Sequence, residues 1–138
     1  MQRARILLAA MTAVAALLIV AGPASAAAFK ATLKAPNHSP KAGGKNWHIT
    51  VTARSNTGRA LRATAYYEFL YDGQKVSTQY PNPGHPIGGK RPYSFRGSYR
   101  DTILWPARAA GYELTFRVVV AVAGKGRQNL DWKVRVHR

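Results

Sequence analysis

Catalysis and metal binding both need acids, bases, nucleophiles or ligands held against one another. This chain carries four histidines, five carboxylates and no cysteine. The missing thiols exclude disulfides, thiolate metal sites, cysteine nucleophiles and an N-terminal lipid on cysteine. His38, His48, His85 and His137 are scattered, and none has a second ligand at metal-binding spacing. They read as surface residues, two in loops, one on the outer face of a strand and one at the chain end. The carboxylates are equally dispersed. Glu68 and Asp131 alternate outwards on strands, Asp72 falls in a hairpin turn, and Glu113 opens a strand. Asp101 stands apart, because it follows a strand and precedes a corner, where it serves either chemistry or a backbone hydrogen bond. No Gly-x-Ser-x-Gly elbow accompanies these groups. The reading is therefore non-catalytic, with no catalytic residue, cofactor or metal assigned; an enzyme or an enzyme inhibitor is the less favoured alternative.

The basic side chains offer more. Lys and Arg number 21, for a formal net charge of +16. Arg96, Arg100, Arg117, Lys133 and Arg135 take outward positions on three predicted strands. If those strands share a sheet, they make a cationic face whose arginine forks match carboxylates and phosphates. The competing explanation is a solvated face that guards strand edges. A second candidate is the loop over 81–92, with four prolines and three glycines. Tyr80, His85, Lys90, Arg91 and Tyr93 lie in or beside it. Aromatic and cationic groups on a proline-stiffened loop can grip a saccharide or an anionic chain at little ordering cost. The competing explanation there is a plain connector. Such a charge attracts polyanions, although a base-composition bias towards Ala and Arg produces the same excess.

These side chains need elements to hold them, and a period of two dominates the sequence. Trp47, Ile49, Val51 and Ala53 alternate with His48, Thr50, Thr52 and Arg54, which predicts a half-buried strand. A second strand over 61–71 follows the Asn56-Thr57-Gly58 turn. Asp72-Gly73 is a two-residue hairpin signal, and 74–80 is the returning strand. Tyr93 to Arg100 alternate as one further strand. The segment 101–111 is a corner, with a single helical turn over 107–110. The longest apolar alternation covers 112–123, with Val119 and Ala121 on its second face, which points to a central position. Gly124-Lys125-Gly126 turns the chain into a last strand over 130–136, and 29–34 forms an edge strand. About seven strands with turns every ten residues or so predict an all-β antiparallel sandwich, with a small closed barrel as the alternative.

The layout resembles the immunoglobulin-like or fibronectin type III-like β-sandwich. Trp47 early in the core, Gly111-Tyr112 opening the penultimate strand and the closing hairpin carry the likeness. It implies a tyrosine corner at Tyr112, with its hydroxyl returning to the backbone near 105–108. The segments Trp47-His48-Ile49-Thr50-Val51, Phe95-Arg96-Gly97 and 114–120 are also similar to small exported actinobacterial proteins without an assigned function, which implies no activity.

The first 26 residues read as a signal peptide. Arg3 and Arg5 precede an apolar run over 6–20 broken only by Thr12, and Ala24-Ser25-Ala26 is a cleavage pattern. The run is shorter than the roughly 20 apolar residues a membrane span needs, so cleavage is expected over anchoring. The run of alanines leaves neighbouring bonds open. Without Arg3 and Arg5 the charge falls from +16 to +14 on the domain 27–138. The expectation is a secreted or envelope-associated domain that binds an anionic cell-envelope polymer or an acidic protein. The alternative is an accessory domain that binds a protein through strand edges or an apolar patch. Export and the lack of a recognisable motif argue against nucleic acid.

Overall fold

Alternating apolar residues make eight strands here, in the computed structural model that describes residues 28–85 and 88–138. The predicted signal peptide over 1–26, its expected cleavage bond and residues 86–87 of the long loop lie outside the described residues. The strands are β1 (Lys30–Lys34), β2 (His48–Arg54), β3 (Arg62–Tyr71), β4 (Gln74–Gln79), β5 (Tyr93–Arg96), β6 (Ser98–Thr102), β7 (Glu113–Val122) and β8 (Gly126–Arg135). One short 3-10 turn covers Ala107–Ala109 in the corner segment. Two antiparallel sheets pack face to face. One has the order β1-β2-β6; the other has β4-β3-β7-β8, with β5 also paired to β3.

Strand chemistry explains the layering. Ile49, Val51 and Ala53 on β2 are fully buried, while Thr50 and Thr52 turn to the other face. Phe116, Val118 and Val120 on β7 are fully buried too. Val119 on the opposite face is only 2% exposed, because β7 lies between β3 and β8 and its neighbours cover it. The core is aromatic at one end. The Trp47 ring meets Trp105 and Phe116 edge-on at centroid distances of 5.3 and 5.7 Å, and Phe69 meets Trp105 at 5.4 Å. Edge-to-face packing adds about 0.5–1.5 kcal/mol per pair to the burial of the rings. The hairpin at Asp72-Gly73 has positive φ at both residues (49° and 75°), as a two-residue loop requires.

The predicted strand over 93–100 divides at Gly97. That residue has φ +75°, donates its N–H to the Leu61 carbonyl (2.9 Å) and accepts from the Ala53 N–H (2.8 Å). The chain thus leaves β3 in one sheet and joins β2 in the other. This adds an eighth strand to the seven expected. The last strand begins at Gly126 rather than 130, since the Gly124-Lys125-Gly126 turn feeds directly into the ladder with β7. The expected tyrosine corner is absent among the described residues. The Tyr112 side chain is 50% exposed and packs edge-on against Tyr71 at 5.6 Å.

β3 runs from Arg62 to Tyr71 and β7 runs back beside it, Thr64 opposite Ala121 and Leu70 opposite Thr115. The 55–61 loop, Gly97 and the 124–126 turn therefore share one end of the sandwich. The Asp72-Gly73 turn, the 103–112 corner and Glu113 share the other.

Candidate functional site

The two ends differ in charge. Arg62 on β3 stands directly opposite Arg96 on β5, both exposed. Like charges directly opposite one another weaken a ladder, so this pair costs stability instead of adding it. Arg59 and Lys125 come from the two adjacent loops, and all four cations line one cleft with the hydroxyl residues Ser55 and Thr57. Lys30 lies opposite Arg54 at the same end of the smaller sheet, and Arg127 on β8 lies opposite Ala121. None of the five carboxylates is at this end. Glu68 and Asp131 flank Arg117 in the middle of the larger sheet. Asp72 and Glu113 belong to the far end, and Asp101 pairs with Ile49 towards the far end of β6. The field of seven like charges with no counter-charge concentrates anions at the cleft.

The five cations predicted as one face are distributed. Arg96 belongs to the cleft. Arg117 is bound in a fork by Asp131, with Nε and Nη2 donating at 2.7 and 3.0 Å. That hydrogen bond holds its guanidinium still more firmly protonated. Arg135 donates to Glu113 at 2.7 Å, and Lys133 lines a cleft beside Asp72 and Glu113. Arg100 lies on β6, in the other sheet, opposite Thr50. A single cationic face through all five therefore does not form, because acids neutralise its middle and far end and Arg100 faces the other way.

The predicted loop residues separate similarly. The Tyr80 backbone carbonyl accepts from the Gly89 N–H at 2.9 Å, and the Tyr80 ring lies 6.2 Å from Tyr66. Tyr93 is half-buried and packs on Tyr99 at 5.0 Å. These two rings anchor the loop. His85, Lys90 and Arg91 are its exposed groups.

Asp101 has a defined role. Its Oδ2 accepts from the Tyr67 hydroxyl and its Oδ1 from the Thr102 N–H, each at 2.8 Å. Tyr99 donates in turn to the Tyr67 hydroxyl at 3.1 Å. Burial raises the Asp101 carboxyl above the ordinary carboxylate value, against the two hydrogen bonds that lower it. Burial also raises both tyrosines, so the chain of hydroxyls stays protonated far into alkaline solution. The network ties β3 to β6 across the interior. His48 lies beside it on β6's neighbour and contacts the Thr102 hydroxyl at 2.8 Å. His38 stacks on Trp132 at 4.5 Å, its Nδ1 within 2.6 Å of the Lys133 carbonyl. Among the described residues no three His, Cys, Asp or Glu side chains are grouped as metal ligands.

Arg59, Arg62 and Lys125 were outside the sequence-derived set. Their signal was position beside a glycine turn, Thr57-Gly58 or Gly124–Gly126, but only the antiparallel β3–β7 pairing brings the two turns together. No model of a known protein family matches the chain, and a search of curated proteins finds no relative.

Proposed function

We propose that this is an exported, non-catalytic binding domain whose partner is an anionic polymer of the bacterial envelope, with an acidic extracellular protein as the second choice. The observation that carries the reading is the Arg62–Arg96 pair. A repulsive cross-strand contact, joined by Arg59 and Lys125 and left without carboxylates, is relieved when an anion sits between the charges. The sheet order β1-β2-β6 against β4-β3-β7-β8 supports reading the sandwich as immunoglobulin-like, a scaffold that presents such sites at its ends. The N-terminal signal sequence supports export.

Binding to teichoic-acid-type wall polymer and to heparin beads, followed across a salt series, tests this. Affinity is expected to fall steeply as salt rises. Arg62→Ala with Arg96→Ala, and Lys125→Ala separately, should weaken binding. Arg117→Ala and Arg135→Ala should leave it nearly intact, since Asp131 and Glu113 already engage those side chains. Salt-independent binding, or equal losses from both sets of variants, refutes the cleft.

A further inference from the structure

We infer that the outer edge of β4 and the aromatic groove beside it take an extended acidic peptide segment of a partner protein, which adds as a strand and seats an apolar side chain. The first observation is the edge itself. The far edge of the same sheet is covered at its C-terminal end: Arg135 N–H on β8 donates to His38 O at 2.8 Å, and just beyond the strand His137 N–H donates to Pro40 O at 3.0 Å while its carbonyl accepts from Ala42 N–H at 2.8 Å. β4 ends the sheet on the other side. Among the described residues it makes no backbone hydrogen bond besides its ladder to β3. It contains no proline and one charge, Lys75. An edge of that kind is open to another strand.

The second observation is what lies beside the edge. A groove of about 480 Å³ runs between β4 and the 105–112 corner. Val76, Ser77 and Gln79 form the β4 wall, and Pro106, Arg108 and Tyr112 the opposite one. Three of the four exposed large apolar side chains of the described residues gather here: Tyr71, Val76 and Tyr112. The β3–β4 register shifts, with Phe69 opposite Ser77 and Leu70 opposite Lys75, so Val76 is the extra residue of a bulge. Bulges re-aim side chains, and this one leaves Val76 59% exposed at the groove rim. Trp105 lies beneath, and its indole N–H is the one buried side-chain polar atom without a partner among the described residues.

Charge selects the occupant. Arg108 is the single charged residue of the lining and makes no ion pair among the described residues. A glutamate or aspartate on the incoming segment meets it, with the apolar neighbour against Tyr71, Val76 and Tyr112. A second copy of this chain is opposed by its own charge, +16 over the full sequence.

Calorimetric titration with a capped eight-residue peptide alternating glutamate with valine, with a central phenylalanine, provides the test. Two further peptides carry N-methyl groups on alternate backbone nitrogens, one in each phase. Saturable binding is expected, weakened about tenfold or more by N-methylation in one phase only, as strand addition requires. Val76→Lys and Arg108→Glu, both at exposed positions, should weaken it similarly while leaving the thermal midpoint unchanged. Arg62→Gln with Arg96→Gln should not, which separates this groove from the cationic cleft. Equal binding of both methylated peptides, insensitivity to Val76→Lys and Arg108→Glu, loss through the cleft variants, self-association through β4, or no binding at millimolar peptide overturns the inference.

Discussion

Gly97→Ala probes the point where the chain changes sheet. A β-carbon built on Gly97 lies 2.9 Å from the Ala60 Cβ, inside van der Waals contact, and the residue sits at φ +75°. The left-handed conformation costs an L-residue about 1–2 kcal/mol. Overpacking a buried position adds about 1–3 kcal/mol. The sum, about 2–5 kcal/mol, is a large part of a typical domain's stability of about 5–15 kcal/mol. Neither backbone bond of Gly97 can relax easily, since one holds Leu61, the residue that leads into β3 of one sheet, and the other holds Ala53 on β2 of the other sheet. Gly58 supplies the control: φ is +89°, with nothing within 4 Å of its added Cβ. Gly58→Ala should cost only the conformational part, about 1–2 kcal/mol. Ala60→Gly in the Gly97→Ala background removes the clash and should return about 1–2 kcal/mol, less what the new glycine gains in unfolded-chain entropy. Urea unfolding followed by tryptophan fluorescence measures all three. Equal costs at Gly97 and Gly58, or no recovery from Ala60→Gly, would show that the Ala60 contact does not hold. Because Gly97 follows Arg96 directly, Gly97→Ala should also weaken anion binding.

Four other substitutions probe the same geometry. Tyr67→Phe removes the acceptor of the buried Tyr99 hydroxyl and should cost about 1–3 kcal/mol in denaturant unfolding. Tyr99→Phe should cost less, because Tyr67 keeps its bond to Asp101; the reverse order would contradict the assigned donor directions. The Asp101 carboxyl is raised in the fold, so its contribution is fully present below the unfolded value of 3.8 and is lost as pH rises through the folded value. Asp101→Asn should therefore flatten the stability profile above about pH 4, read as urea midpoints measured upward from there. Arg62→Gln should raise stability at low salt by up to about 0.5 kcal/mol while lowering polyanion affinity, and the stability gain should vanish at high salt. A gain that persists in high salt would mean the Arg62–Arg96 repulsion is not its source.

Period-two alternation determined the all-β character, because a strand with one face buried cannot hide its pattern. Ile49, Val51 and Ala53 could be assigned to the core from their spacing alone. Asp72-Gly73 announced its hairpin because positive φ at two successive positions leaves few residue choices. The second apolar face at Val119 announced a central strand, since only flanking strands make such a residue worth burying. Partnership was different. Tyr93 to Arg100 alternate without interruption, and nothing local says that Gly97 carries the chain between sheets; that depends on Ala53 and Leu61, more than thirty residues away. The charges behave likewise. Each arginine's outward direction follows from its own strand. Whether it meets Asp131, Glu113 or another arginine follows only from the register of β3, β5, β7 and β8. Local alternation chooses a face within one strand, whereas a site is assembled from strands that the sequence keeps far apart.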